Sequence, residues 1–240
     1  MIQIVPVPAF SDNYIWLVHD EDSAETAVVD PGNAAPALAE AMRRGWRISQ
    51  LWNTHWHGDH TGGTLTVKQA TGCRILGPAK ETIPGIDERL AEGDTIRLGA
   101  HCGRVIDVPG HTSGHIALIF EDQRIAFVGD TLFAMGCGRL FEGTAEQMFT
   151  SLQRLVALPD DTKLYCAHEY TMANARFAAH AEPANLAIAQ RLERVADLRA
   201  RGEITVPTSV QEERATNPFV RARDAGHFAE LRREKDSFGS

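Results

Sequence analysis

The stretch Thr54-His55-Trp56-His57-Gly58-Asp59-His60-Thr61-Gly62-Gly63 sets four metal-competent side chains within six residues. It follows Ile48-Ser49-Gln50-Leu51-Trp52-Asn53-Thr54, an apolar run that reads as a buried strand. Residues two apart on an extended segment point the same way, so His55 and His57 can hold one cation from the strand end. Asp59 and His60 fall beyond it and can turn toward a second. Imidazole and carboxylate without thiolate suit Zn, Fe, Mn or Co rather than a closed structural zinc site.

Further donors stand at the ends of further strands. Val105–Val108 runs into Pro109-Gly110-His111, Ile125–Val128 into Gly129-Asp130, and Lys163–Ala167 into His168. Sites on α/β sheets gather at such carboxyl ends. Short strands alternate with helical segments at Ala34–Arg44 and Thr144–Ala157. After His168 the texture becomes helical, with candidates at Thr171–His180, Pro183–Arg201 and Ala225–Lys235. The residues alone establish a mixed α/β fold.

At 240 residues and 43% hydrophobic content, the chain can bury one large domain with a smaller appendage. A net charge of −8 argues against a nucleic-acid surface. Cys73, Cys102, Cys137 and Cys166 show neither C-x-x-C spacing nor a disulfide framework, as reduced thiols would. No apolar run approaches the roughly 20 residues of a membrane span, and Met1–Pro6 has no signal-peptide character. A cytoplasmic, soluble protein is expected, with a monomer favoured.

Phe10-Ser11-Asp12-Asn13-Tyr14, THWHGDHTGG, PGHTSGH, GDTLF, CGRLFEGTA, AHEYT and the terminal LRREKDSF together resemble the glyoxalase II (hydroxyacylglutathione hydrolase) family of the metallo-β-lactamase superfamily. The last three carry the narrower likeness. The resemblance implies an αββα four-layer sandwich over residues 1–168 and a helical glutathione-binding extension over 169–240. It assigns His55, His57 and His111 to one divalent metal and Asp59, His60 and His168 to another, with Asp130 bridging. Zn is the first choice, Fe or Mn the others. The implied reaction is hydrolysis of S-(2-hydroxyacyl)glutathione thioesters, such as S-D-lactoylglutathione, by a metal-bridging hydroxide, with Asp59 and Asp130 as catalytic carboxylates.

For the substrate, Arg232 and Lys235 are three apart on a helix and share a face that suits a carboxylate such as glutathione's glycine end. Arg139 and Tyr170 match glutathione-contacting positions, and Phe141 stands where some relatives carry tyrosine. His115 falls outside the ligand set. Asp30 either braces the His55–His60 loop or forms the turn with Pro31. Alternatives are an iron-dependent glutathione persulfide dioxygenase, a β-lactamase and a non-catalytic metal- or glutathione-binding module.

Overall fold

A computed structural model describes residues 1–238; Gly239 and Ser240, the end of the expected helical extension, lie outside the described residues. The chain forms two compact units. One comprises Met1–Asp107 with Gly114–Gly129, the other Val108–Ser113 with the chain from Asp130 onward.

The first unit opens with a hairpin of β1 (Ile2–Ala9) and β2 (Asn13–Asp20), whose register pairs Ala9 with Asn13. Next come β3 (Thr26–Val29), α1 (Ala34–Arg44), β4 (Ile48–Trp52), α2 (Gly58–Thr61), α3 (Thr64–Thr71), β5 (Arg74–Pro78) and β6 (Glu88–Leu90). Strands β1 to β6 lie side by side in chain order, antiparallel up to β3 and parallel from β3 on. Parallel neighbours require crossovers, which α1 supplies from β3 to β4, α2 and α3 from β4 to β5, and an irregular loop from β5 to β6. Both strand faces are covered, which is why β2 and β3 are buried along their whole length.

Helix α1 is cut to length by its ends. The Asn33 side chain accepts the Ala35 N–H, and Gly45 closes the last turn at φ 70°. Its Ala34, Ala37 and Ala41 pack on Val7, Leu17, Val28 and Leu51 from one sheet face. A second, antiparallel sheet holds β7 (Thr95–Leu98), β8 (His101–Asp107), β9 (Ile116–Phe120) and β10 (Ile125–Gly129). Trp52, fully buried, stacks on Phe120 at 5.6 Å and meets Phe127 edge-on at 6.2 Å, so the two sheets face one another across an aromatic layer.

The second unit contains β11 (Leu132–Phe133), β12 (Gly136–Cys137), α4 (Ala145–Val156), β13 (Lys163–Cys166), α5 (Thr171–Ala181), α6 (Leu186–Ala200), β14 (Thr208–Ser209), α7 (Val210–Thr216) and α8 (Ala225–Ser237). Helix α4 starts at a capping box formed by Thr144 and Gln147, and its apolar face buries Met148, Leu152 and Leu155. The spacing predicts α6 from Pro183. The helix instead begins at Leu186, because Asn185 caps it by accepting the Ala187 N–H while Pro183 sits in the preceding turn.

A buried polar network joins the β11–β12 hairpin to the later helices. Glu213, wholly buried, accepts from the Met135 N–H (2.9 Å), Asn217 (2.8 Å), the Thr208 hydroxyl (2.6 Å) and Arg191 (2.8 Å). Asn217 also donates to the carbonyls of Phe133 and Gly136. Sequence periodicity gives no sign of this network.

Candidate metal centre

In the first unit, β3 and β4 run parallel, so their carboxyl ends, Asp30 and the Asn53–His55 segment, emerge together. The expected strand over Ile48–Thr54 stops at Trp52, because the Thr54 N–H donates to Asp30 Oδ1 (2.8 Å). The Thr54 hydroxyl donates to Asp30 Oδ2 (2.7 Å), and the same oxygen lies 3.2 Å from His60 Nδ1. Asp30 therefore braces the loop. It also forms the turn, its carbonyl accepting the Gly32 N–H. Gly32 is obligatory there, since a Cβ would collide with the Asp59 carbonyl.

These contacts orient each imidazole. His60 Nδ1 stands beside the Asp30 carboxylate, and Nε2 lies 3.4 Å from Asp59 Oδ2. His55 turns Nδ1 toward the Thr54 hydroxyl (3.1 Å) and Nε2 toward His57 Nδ1 (3.2 Å). His115, fully buried, stacks on His55 at 4.6 Å, a packing role that limits ring rotation.

In the second unit, Asp130 follows β10, His168 follows β13, and His111 lies in the loop before Thr112. His111 Nδ1 faces the Arg139 carbonyl at 2.9 Å, and its Nε2 lies 3.4 Å from Asp130 Oδ2. His168 Nε2 lies 3.3 Å from that same oxygen. Gly138 permits the arrangement, because a Cβ at that position would overlap the Asp130 carbonyl and crowd the His111 ring.

Donor separations test whether these sets suit a metal. Ligands 2.0–2.1 Å from a tetrahedral cation stand about 3.3 Å apart. Four donor pairs, His55–His57, Asp59–His60, His111–Asp130 and Asp130–His168, lie between 3.2 and 3.4 Å. All are nitrogen or carboxylate oxygen, with no thiolate among them. The arrangement suits divalent metal.

The expected substrate residues all lie in the second unit. Arg139 is exposed, with Asp236 at 3.8 Å. Phe141 is exposed and meets the His111 ring edge-on at 5.2 Å. Tyr170 stacks flat on His168 at 4.7 Å with part of its ring open to solvent. Arg232 and Lys235 share α8 but differ in setting. Arg232 is buried, donates to the Cys137 carbonyl (3.1 Å) and Asp236 (2.7 Å), and lies over Phe219. Lys235 donates to the Ala173 carbonyl beside Phe177. Burial first, then Arg232 and Arg139, lowers its pKa. Cys137 is buried and its thiol is pushed up to about 11, mainly by desolvation, so it cannot serve as a nucleophile.

Comparison with known proteins bears on the whole chain. The profile of the metallo-beta-lactamase superfamily matches residues 9–168, and that of the hydroxyacylglutathione hydrolase C-terminus matches 169–238. The chain is 53% identical to the hydroxyacylglutathione hydrolase of Methylococcus capsulatus and 50% to that of Hyphomonas neptunium, each alignment covering 99% of both chains. Among solved structures, ETHE1 from Myxococcus xanthus is similar in fold at a TM-score of 0.76 and 23% identity, over 100% of this chain and 92% of that one.

Proposed function

Because the chain belongs to the hydroxyacylglutathione hydrolase family of the metallo-beta-lactamase superfamily, we propose that it hydrolyses S-(2-hydroxyacyl)glutathione thioesters to glutathione and a 2-hydroxy acid. S-D-lactoylglutathione is the first substrate to try. The observation that carries the reading is Asp130, one oxygen of which stands at ligand–ligand distance from two histidines.

Our assignment gives His55, His57 and His111 to one divalent ion and Asp59, His60 and His168 to a second, with Asp130 shared. Two ions, zinc first, are supported by the number of donors, because seven exceed what one tetrahedral ion takes. Such ions, when bound, polarise a carbonyl and bring the pKa of water near 7. The protein's own part is to orient. The Arg139 carbonyl can hold the His111 Nδ1–H so that its opposite nitrogen is left for a ligand bond, and Asp30 stands beside His60 Nδ1. Asp59 and Asp130 are the carboxylates available to the proton of the attacking water. The water oxygen bonds to the acyl carbon and the C–S bond breaks. Glutathione leaves as thiolate, a fair leaving group because thiols ionise near pKa 8.5.

Residues 1–168 would form the catalytic part and 169–240 the glutathione-binding extension. Arg139 and Lys235 would meet a glutathione carboxylate, Arg232 would hold the α8 face that presents them, the Tyr170 hydroxyl would reach the peptide backbone, and Phe141 would pack without a hydroxyl contact. No helix among the described residues is long and apolar enough to cross a membrane. A monomer in the cytoplasm, with its thiols reduced, completes the reading.

The test follows thioester loss from S-D-lactoylglutathione by purified protein, with metal content measured on the same sample. Turnover with two metals per chain is the expected result. A fully metallated preparation that leaves the thioester intact while oxidising glutathione persulfide would overturn it.

A further inference from the structure

The stretch Phe10–Tyr14 stands out in the sequence, yet the reaction gives it no task. Its structure supplies one. Asn13 opens β2, is paired in register with Ala9, and is almost wholly buried. Its amide Nδ2 lies 3.1 Å from Asp59 Oδ2 and 3.5 Å from the Asp59 carbonyl oxygen. The Asp59 side chain is 43% exposed, the most open donor of its set, and its Oδ2 is the oxygen that faces His60 Nε2.

We propose that Asn13 is a positioning residue that fixes the Asp59 carboxylate toward His60 and so sets the affinity for the metal those two residues share; this rests on the binuclear reading above. A half-exposed aspartate has several staggered rotamers open to it, and they point its oxygens in different directions. An ionised carboxylate oxygen accepts from more than one direction, so Oδ2 can take the Asn13 amide on one side and leave the other side for a cation. An amide suits the task because it donates without bringing charge. A lysine would compete with the metal, and an aspartate would repel the ligand.

The surroundings make the grip effective. Asn13 is anchored in a two-stranded register, while Asn53 donates to the His60 carbonyl at 3.0 Å and Gly32 abuts the Asp59 carbonyl. With that backbone fixed, the Asn13 amide acts on the remaining freedom, the carboxylate torsion. Groups that orient metal ligands typically change metal affinity 10- to 100-fold when removed.

Two variants test the proposal, Asn13→Ala and Asn13→Leu, which is similarly branched at Cγ but offers no donor and brings no charge. Zinc is titrated into chelator-stripped full-length protein against a chromophoric competitor, and the melting temperature of the metal-free protein is recorded. The expected result is two equivalents in the wild type. In both variants one equivalent weakens about 10- to 100-fold, the other is unchanged, and metal-free melting stays as in the wild type. Wild-type affinities at both equivalents in the variants overturn the proposal and leave the binuclear reading intact. Equal weakening of both equivalents with a lowered metal-free melting temperature makes Asn13 a structural residue and also overturns it. A wild type that takes up fewer than two equivalents overturns both.

Discussion

Asp30 offers the sharpest separation of fold from chemistry. Two buried donors, the Thr54 N–H and hydroxyl, depend on its carboxylate at 2.8 and 2.7 Å. Asp30→Ala strands both, and a buried donor left without an acceptor costs about 1–3 kcal/mol. The sum is roughly 2–6 kcal/mol, a large part of the ~5–15 kcal/mol that holds a domain folded. Asp30 also sits at φ 49°, a conformation asparagine tolerates and alanine resists. For a chain of this size each kcal/mol is worth about 2–4 °C, so metal-free Asp30→Ala should melt roughly 5–20 °C below wild type.

Asp30→Asn should behave differently. Its carbonyl still accepts the Thr54 N–H, and the Thr54 hydroxyl can reverse to accept from the new amide. His60 Nδ1 then faces a neutral amide in place of the carboxylate 3.2 Å away, and the ring loses the negative charge beside it. Stability should fall by about 1–2 kcal/mol while metal affinity falls about 10- to 100-fold. Thermal denaturation followed by circular dichroism in chelator, paired with zinc titration, gives both numbers. The reasoning fails if Asp30→Ala melts within 2 °C of wild type, or if Asp30→Asn binds zinc normally.

The α8 cations should separate in kinetics. Lys235→Ala should raise KM about 10-fold at nearly unchanged kcat, since a contact remote from the reacting bond acts equally on ground and transition states. Arg232→Ala should instead lower stability by roughly 2–4 kcal/mol through lost packing and hydrogen bonding, read as a lower melting temperature, because its guanidinium is buried against Cys137 and Phe219. Among the four thiols, iodoacetamide at pH 8 should modify Cys102, which is exposed. It should spare Cys73, Cys137 and Cys166, whose burial raises their pKa, to about 11 for Cys137 and about 12 for Cys166; peptide mass spectrometry reads the outcome. Asp20 is held at about 2, chiefly by the Ser23 hydroxyl, then by the N–H groups of Asp22 and Ser23. Its stabilisation is therefore complete above pH ~4 and lost as pH falls from there toward 2, where the unfolded chain takes up the proton first. Asp20→Asn should flatten that limb of an acid-unfolding curve, and an unchanged curve would contradict this account.

The candidate donors were legible as chemistry because such side chains are sparse and fall close together in the chain. His55 and His57 fall in the loop after β4, Asp59 and His60 on one helical turn, and His111, Asp130 and His168 each follow an apolar run. What escaped was set by long-range partners. The acceptance of Thr54 by Asp30 shortens β4, and the cap at Asn185 moves the start of α6 past Pro183. Helical spacing correctly put Arg232 and Lys235 three apart on α8, yet could not tell that Arg232 is buried against Phe219. Asn13 carries no signal of its own, since an isolated asparagine after a turn reads as turn chemistry.

The Glu213 network has a consequence for how this protein can be dissected. Met135 and the carbonyls of Phe133 and Gly136 take their hydrogen bonds from residues some eighty positions later in the chain. A chain cut at the boundary between the two matched profiles would keep the hairpin and lose every one of those partners, exposing an apolar floor once covered by Ala175, Ala178 and Ile188. Such a fragment would aggregate before it could report on substrate capture. Tail and hairpin are interdependent in folding, so point changes on α8, rather than deletion of the tail, are the experiments that can speak about glutathione.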